Sequence, residues 1–135
     1  MKIKDLDRLF NPSKIAVIGA SNSEFKVGGS VFKRLLESRR RLFPVNPKET
    51  AIQGHKVIPD IASLPDDIDL AVITISAAPA VSAVRQCIRK NIPNMIIVAG
   101  GFGETGPDGQ ALEQDLNRLA REHSVNILGP TPWGF

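Results

Sequence analysis

The residues best suited to chemistry stand where an apolar run stops in small residues. Lys14-Ile15-Ala16-Val17-Ile18 leads into Gly19-Ala20-Ser21, and Gly28-Gly29 then open a helical pattern. At such a strand-to-helix junction, backbone N–H groups and a helix N-terminus face an anion, and phosphate is the usual one. Ser21 adds a hydroxyl donor. A second apolar run, Leu42-Phe43-Pro44-Val45, ends in Asn46-Pro47-Lys48. Proteins that read the ribose of NAD place Asp or Glu at the end of this second strand. Here stand Asn46 and then the ammonium of Lys48, a point charge suited to a phosphate. The pairing favours a ligand with an extra phosphate over a plain ribose diol.

Other candidates are read against plainer roles. Gly28 and Gly29 suit close helix–strand packing and phosphate contact equally. Asn46 either holds its own turn, as Asn does before proline, or meets the ligand, and the turn is favoured. Gly100-Gly101-Phe102-Gly103 places three glycines after another apolar run, more than a turn requires, so Gly100, Gly101 and Phe102 join the candidate binding residues. Ser76 and Ala77, at the end of a third run, stand with equal weight as contacts to adenine or ribose and as ordinary loop residues. Glu104 is read as a capping residue. The two histidines, His55 and His123, lack metal-ligand spacing, and the single cysteine, Cys87, lies among helical apolar positions as a buried thiol. No Ser–His–Asp or Cys–His arrangement can be drawn, so no catalytic and no metal-binding residue is assigned.

The elements that must position these residues alternate. Asp5–Phe10 reads as a short helix, Lys14–Ile18 as the first strand, Gly29–Ser38 as a crossover helix and Leu42–Val45 as the second strand. A loop-rich stretch punctuated by Gly54, Pro59 and Pro65 holds one helical turn at Asp60–Leu64. Leu70–Ile75 reads as the third strand, a helix through Val81, Val84 and Ile88 closes at Asn91 and Pro93, and Met95–Val98 is the fourth. A helix over Asp108–His123 precedes a last strand at Val125–Leu128. The pattern predicts an α/β, Rossmann-like fold: a five-stranded, mainly parallel sheet with helices on both faces. The expected order is 3-2-1-4-5, which brings the loops after Ile18 and Val98 together at the switch point, where such sheets bind ligands. Gly19→Val is expected to abolish binding and leave the fold largely intact.

The chain's 135 residues suit a single domain spanning 1–135. With 42% hydrophobic and 23% charged residues it has the composition of a folded domain and not of a disordered one. A net charge of +3 owes part of its excess to Arg39-Arg40-Arg41, read as solvated cations after a helix. No tyrosine is present and aromatics are 5%, so stacking platforms for nucleic acid are scarce. One cysteine excludes an internal disulfide framework and suits a reducing, cytoplasmic setting. No apolar run approaches the roughly 20 residues of a membrane span, and the N-terminus lacks a signal-peptide core. Neither nucleic acid nor membrane is expected as a partner.

Taken in order, these residues resemble the CoA-binding domain of the NDP-forming acyl-CoA synthetases. That family includes ADP-forming acetate–CoA ligases and is related to the succinyl-CoA synthetase α subunit. The resemblance rests on Asn11-Pro12-Ser13-Lys14-Ile15-Ala16-Val17-Ile18-Gly19-Ala20-Ser21 with Gly28, on Val45-Asn46-Pro47-Lys48 with Gly54, on Leu64-Pro65 before Asp69-Leu70-Ala71-Val72, and on Gly101-Phe102-Gly103-Glu104-Thr105-Gly106. Two segments depart from the family pattern. Ile75-Ser76-Ala77 replaces Val-Pro-Ala, and Gly129-Pro130-Thr131-Pro132-Trp133-Gly134 replaces Gly-Pro-Asn-Cys-x-Gly.

The resemblance implies non-covalent binding of CoA or acyl-CoA, by a standalone protein or by the CoA-binding part of a synthetase. It does not imply a complete ligase. Family synthetases also need a domain carrying a phosphorylated histidine and an ATP-grasp domain or subunit, and these are the partners it implies. Two rival readings remain at this stage. One is an NAD(P)-binding redox or redox-sensing domain, with NADP left open by Lys48. The other is a regulatory domain that senses acyl-CoA and binds a protein partner.

Overall fold

The computed structural model describes residues 3–23, 26–98 and 107–131. Five parallel strands form one sheet: β1 (Lys14–Ile18), β2 (Arg41–Val45), β5 (Leu70–Ile73), β6 (Asn94–Val98) and β7 (Asn126–Thr131). Between β2 and β5, the short strands β3 (Ala51–Ile52) and β4 (His55–Lys56) make an antiparallel hairpin, followed by a 3-10 turn at Ile61–Ser63. The helices are α1 (Ile3–Phe10), α2 (Val27–Leu36), α3 (Ala77–Arg89) and α4 (Pro107–His123). No helix among the described residues is long and apolar enough to cross a membrane.

The central strands are apolar without alternation because both faces are covered. Ile15, Val17, Leu70 and Val72 share one core with Val31 and Phe32 of α2. Ala16, Ile18, Ala71, Ile73, Met95 and Ile97 share the other with Ala80, Val84 and Cys87 of α3 and Leu116 and Leu119 of α4. Burial pushes the Cys87 thiol up to about 12, so it remains protonated and unreactive at neutral pH.

The sheet order corrects the expected one. It runs β2-β1-β5-β6-β7, so the third sheet strand lies beside the first and not outside the second. Proline explains why. Pro44 sits within β2, and its carbonyl accepts from the Ile58 N–H at 2.9 Å on the side away from β1. Its missing N–H therefore falls on an outer edge, where a strand tolerates proline. β5, buried along its whole length, takes an interior place. The switch point accordingly lies between β1 and β5. The loop after Ile18 meets the loop after Ile73; the expected partner, the loop after Val98, lies outside the described residues.

Several boundaries also move. The α2 helix begins at Val27, before both glycines; β5 stops at Ile73; β7 continues through Gly129 and Pro130 to Thr131. The hairpin was not expected. Its two-residue turn, Gln53-Gly54, has φ of 49° and 79°, the doubly left-handed geometry that matches the twist of paired strands. The ring of His55, in β4, meets Phe32 edge-on, with ring centroids 5.5 Å apart. That contact gives this histidine a packing role.

At the opposite end of the sheet from these loops, Asp69 ties four segments together. Arg8 Nε donates to Asp69 Oδ1 at 2.5 Å, and the backbone amides of Ser13 and Lys14 donate to Oδ2 at 2.8 and 3.0 Å. Asn94 Nδ2 donates to the Asp69 carbonyl at 3.1 Å, while Asn94 Oδ1 accepts from the buried Asn126 at 2.7 Å. Partial burial opposes ionisation of Asp69. The Arg8 hydrogen bond, the two backbone amides and the Arg8 charge outweigh it and hold the carboxyl below its ordinary value. A depressed carboxylate contributes stability above its unfolded pKa, about 3.9, and loses it as pH falls through the lower folded value. Asp69→Asn is therefore expected to cost roughly 1.5–3 kcal/mol at pH 7, and much less near pH 3. Urea unfolding at the two pH values measures the difference.

Candidate functional site

The loop after β1 is built by backbone contact with α2. Gly19 has φ of +92°, and its N–H donates to the Val45 carbonyl at 3.0 Å, which fixes the end of β1 against β2. A Cβ on Gly28 would lie 1.8 Å from the Gly19 carbonyl oxygen, and one on Gly29 would lie 1.9 Å from that of Ser23. Both glycines are therefore demanded by close approach. Their absent side chains bring the first turn of α2 onto the loop, and with it the N–H groups that have no partner inside a helix. The loop after β5 completes the junction: Thr74 donates its hydroxyl and its N–H to the Ile18 carbonyl, each at 2.9 Å.

The expectation that Gly19→Val spares the fold is corrected here. A Cβ at Gly19 would meet Ile75 Cγ2 at 2.7 Å and Thr74 Oγ1 at 2.8 Å, in a backbone region that branched residues avoid. Such a variant strains the junction itself.

After β2, Asn46 does two jobs. Its Oδ1 accepts from the Lys48 and Glu49 amides at 2.8 and 3.1 Å, which makes the turn. Its Nδ2 donates to the Ala20 carbonyl at 2.9 Å, so the second loop is tied to the first. The two loops enclose a hollow of about 640 Å³ at the carboxyl ends of β1, β2 and β5. It is lined by Gly19, Gly28 and Thr74, by the charged residues Lys26, Lys48 and Glu49, and by Ser21, Val27, Asn46, Pro47 and Ile75. A second hollow, about 370 Å³, shares Gly19, Pro47 and Ile75 with it and is bounded beyond them by apolar Val45, Ile61 and Pro79.

Of the residues singled out in the sequence, Gly19, Ser21, Gly28, Asn46 and Lys48 thus come together in one hollow. Ala20 is fully buried and contributes its carbonyl to Asn46. Ser21 is also engaged locally, its Oγ accepting from the Ser23 amide at 3.1 Å. Ser76 is the exposed N-cap of α3 and Ala77 is buried in the first turn; neither lines the two hollows. Gly100, Gly101 and Phe102 lie outside the described residues. Lys26, Val27, Glu49, Thr74 and Ile75 also line the hollow, although the sequence pattern does not single them out. Only Lys26 carried a signal, a cation placed just before a glycine pair that opens a helix.

Residues 13–135 match the family described as CoA binding domain. The chain belongs to that family. This CoA-binding domain is 38% identical over 131 residues to the α subunit of ADP-forming acetate–CoA ligase II from Pyrococcus furiosus, covering 96% of this chain and 29% of the relative. It is 36% identical over 130 residues to ADP-forming acetate–CoA ligase I from Archaeoglobus fulgidus, covering 96% of this chain and 19% of that one. Among solved structures, it superposes with a TM-score of 0.85 on the dinucleotide-forming acetyl-coenzyme A synthetase 1 of Ca. Korarchaeum cryptofilum. That match is 33% identical and covers 95% of this chain and 28% of the other. The CoA-binding domain therefore spans less than a third of the length of these relatives. Nothing in these similarities supports the NAD(P) reading.

Proposed function

We propose that the domain binds CoA or acyl-CoA non-covalently in the hollow between the loops after β1 and β2, as the CoA-binding part of an ADP-forming acyl-CoA synthetase. The observation that carries this reading is the Gly19–Gly28 contact in a hollow that two lysines, Lys26 and Lys48, also line. The backbone junction and the positive end of α2 suit the diphosphate. Lys48 suits the 3′-phosphate on the ribose, the group that separates CoA from its dephospho form. The adjoining apolar hollow, between Pro47 and Ile75, suits adenine. The pantetheine arm then runs toward the carboxyl end of β6. In a synthetase the domain's part is to present the CoA thiol to an acyl phosphate made elsewhere. A phosphohistidine-carrying domain and an ATP-grasp domain or subunit are the partners this requires.

Calorimetric titration with CoA, NAD and NADP tests the assignment. CoA is expected to bind tightest, at least tenfold ahead of NADP. Tighter binding of NADP would overturn the CoA reading.

A further inference from the structure

The hollow contains a charge that a phosphate site does not need. Glu49 lines it together with Lys48 and Lys26. Its position is held from two sides. Its amide donates to Asn46 Oδ1 at 3.1 Å, and its Oε2 accepts from Asn22 Nδ2 at 3.1 Å. Asn22 is itself anchored, for Nδ2 also donates to the Ala51 carbonyl at 2.8 Å and Oδ1 accepts from the Gln53 amide at 3.2 Å. The carboxylate is thus fastened through one oxygen to the loop after β1 and through its backbone to the loop after β2. Among the described residues no cation forms an ion pair with it.

A carboxylate in this place repels a neighbouring phosphate and accepts readily from a hydroxyl. A ribose with one secondary hydroxyl phosphorylated offers both groups side by side. We propose that Glu49 is a specificity residue: it accepts from the free 2′-hydroxyl while Lys48 meets the 3′-phosphate, so the site selects 3′-phosphorylated over 2′-phosphorylated adenosine. The inference rests on the CoA reading above. Lys48 supplies affinity for an extra phosphate wherever it lies on the ribose, whereas Glu49 decides which hydroxyl carries it. An acid that reads a ribose hydroxyl at the end of the second strand is a familiar use of this fold; here it comes three residues after Asn46, beside a cation.

Adenosine 3′,5′-bisphosphate and adenosine 2′,5′-bisphosphate are the probes, titrated against wild type, Glu49→Gln and Glu49→Lys, with CoA in parallel. Wild type is expected to bind the 3′ isomer at least tenfold more tightly. Glu49→Gln should narrow that ratio at least fivefold, mainly by strengthening the 2′ isomer, and Glu49→Lys should narrow it further. Glutamine keeps an oxygen for Asn22, so a purely structural Glu49 would leave the ratio unmoved, and that result overturns the inference. A wild type indifferent to the isomer overturns it as well. If CoA binds while the ratio ignores Glu49, only this inference falls. If neither CoA nor either bisphosphate binds, the CoA reading falls and takes this one with it.

Discussion

Gly28→Ala is expected to abolish CoA binding and to destabilise the fold by about 3 kcal/mol or more, a large result for adding one methyl group. In an exposed helix the same change normally gains about 1 kcal/mol. Here the new carbon would stand 1.8 Å from the Gly19 carbonyl oxygen and 2.9 Å from Thr74 Oγ1. The nearest obstacle is backbone, which cannot rotate aside, so α2 must lift away from the loop. Overpacking of this kind costs 1–3 kcal/mol and occasionally more. The displacement also removes the first-turn amides from the place assigned to the diphosphate. Gly54→Ala is the control. Gly54 is left-handed, with φ of +79°, and nothing lies within 4 Å of its added carbon. It should cost about 1–2 kcal/mol in backbone strain alone and leave binding intact. Urea unfolding with calorimetry on both variants measures the contrast. A Gly28→Ala protein with unchanged stability and unchanged affinity would remove this junction from the site.

Lys48→Ala is expected to erase most of the preference for CoA over dephospho-CoA. The two ligands differ only by the 3′-phosphate, so their affinity ratio isolates the contact. A charge-assisted hydrogen bond is worth about 1.5–3 kcal/mol, roughly ten- to a hundredfold in affinity. Lys48 is exposed at the rim, so the wild-type ratio should fall as salt rises. Equal weakening of both ligands would move Lys48 to the diphosphate. No change in either would return it to the solvated surface and displace the ribose from this loop.

Much of this site can be read locally. The alternation of apolar runs with 3.6-residue periodicity specifies strands and helices, because each element's burial pattern is written within its own span. The small residues after β1, the glycines opening α2 and the Asn46-Pro47-Lys48 turn are likewise local instructions. That is why Gly19, Ser21, Gly28, Asn46 and Lys48 were found in the sequence and meet in one hollow. Two further details are legible locally. Pro44 marks β2 as an edge strand, and Gln53-Gly54 marks a hairpin turn.

The sequence by itself determined the parallel α/β class, the small-residue junction between β1 and α2 and the cation after the second strand. Only the tertiary structure decided which loops share the site. β5 inserts beside β1, so Thr74 and Ile75 meet Gly19, while Ser76 and Ala77 turn away into the start of α3. It also decided that Gly28 serves the Gly19 carbonyl and that Asn22 holds Glu49 at the cleft. The reason is physical. Periodicity and turn chemistry report what a segment buries, whereas strand order and close approach depend on partners distant in the chain, whose identity no local pattern records.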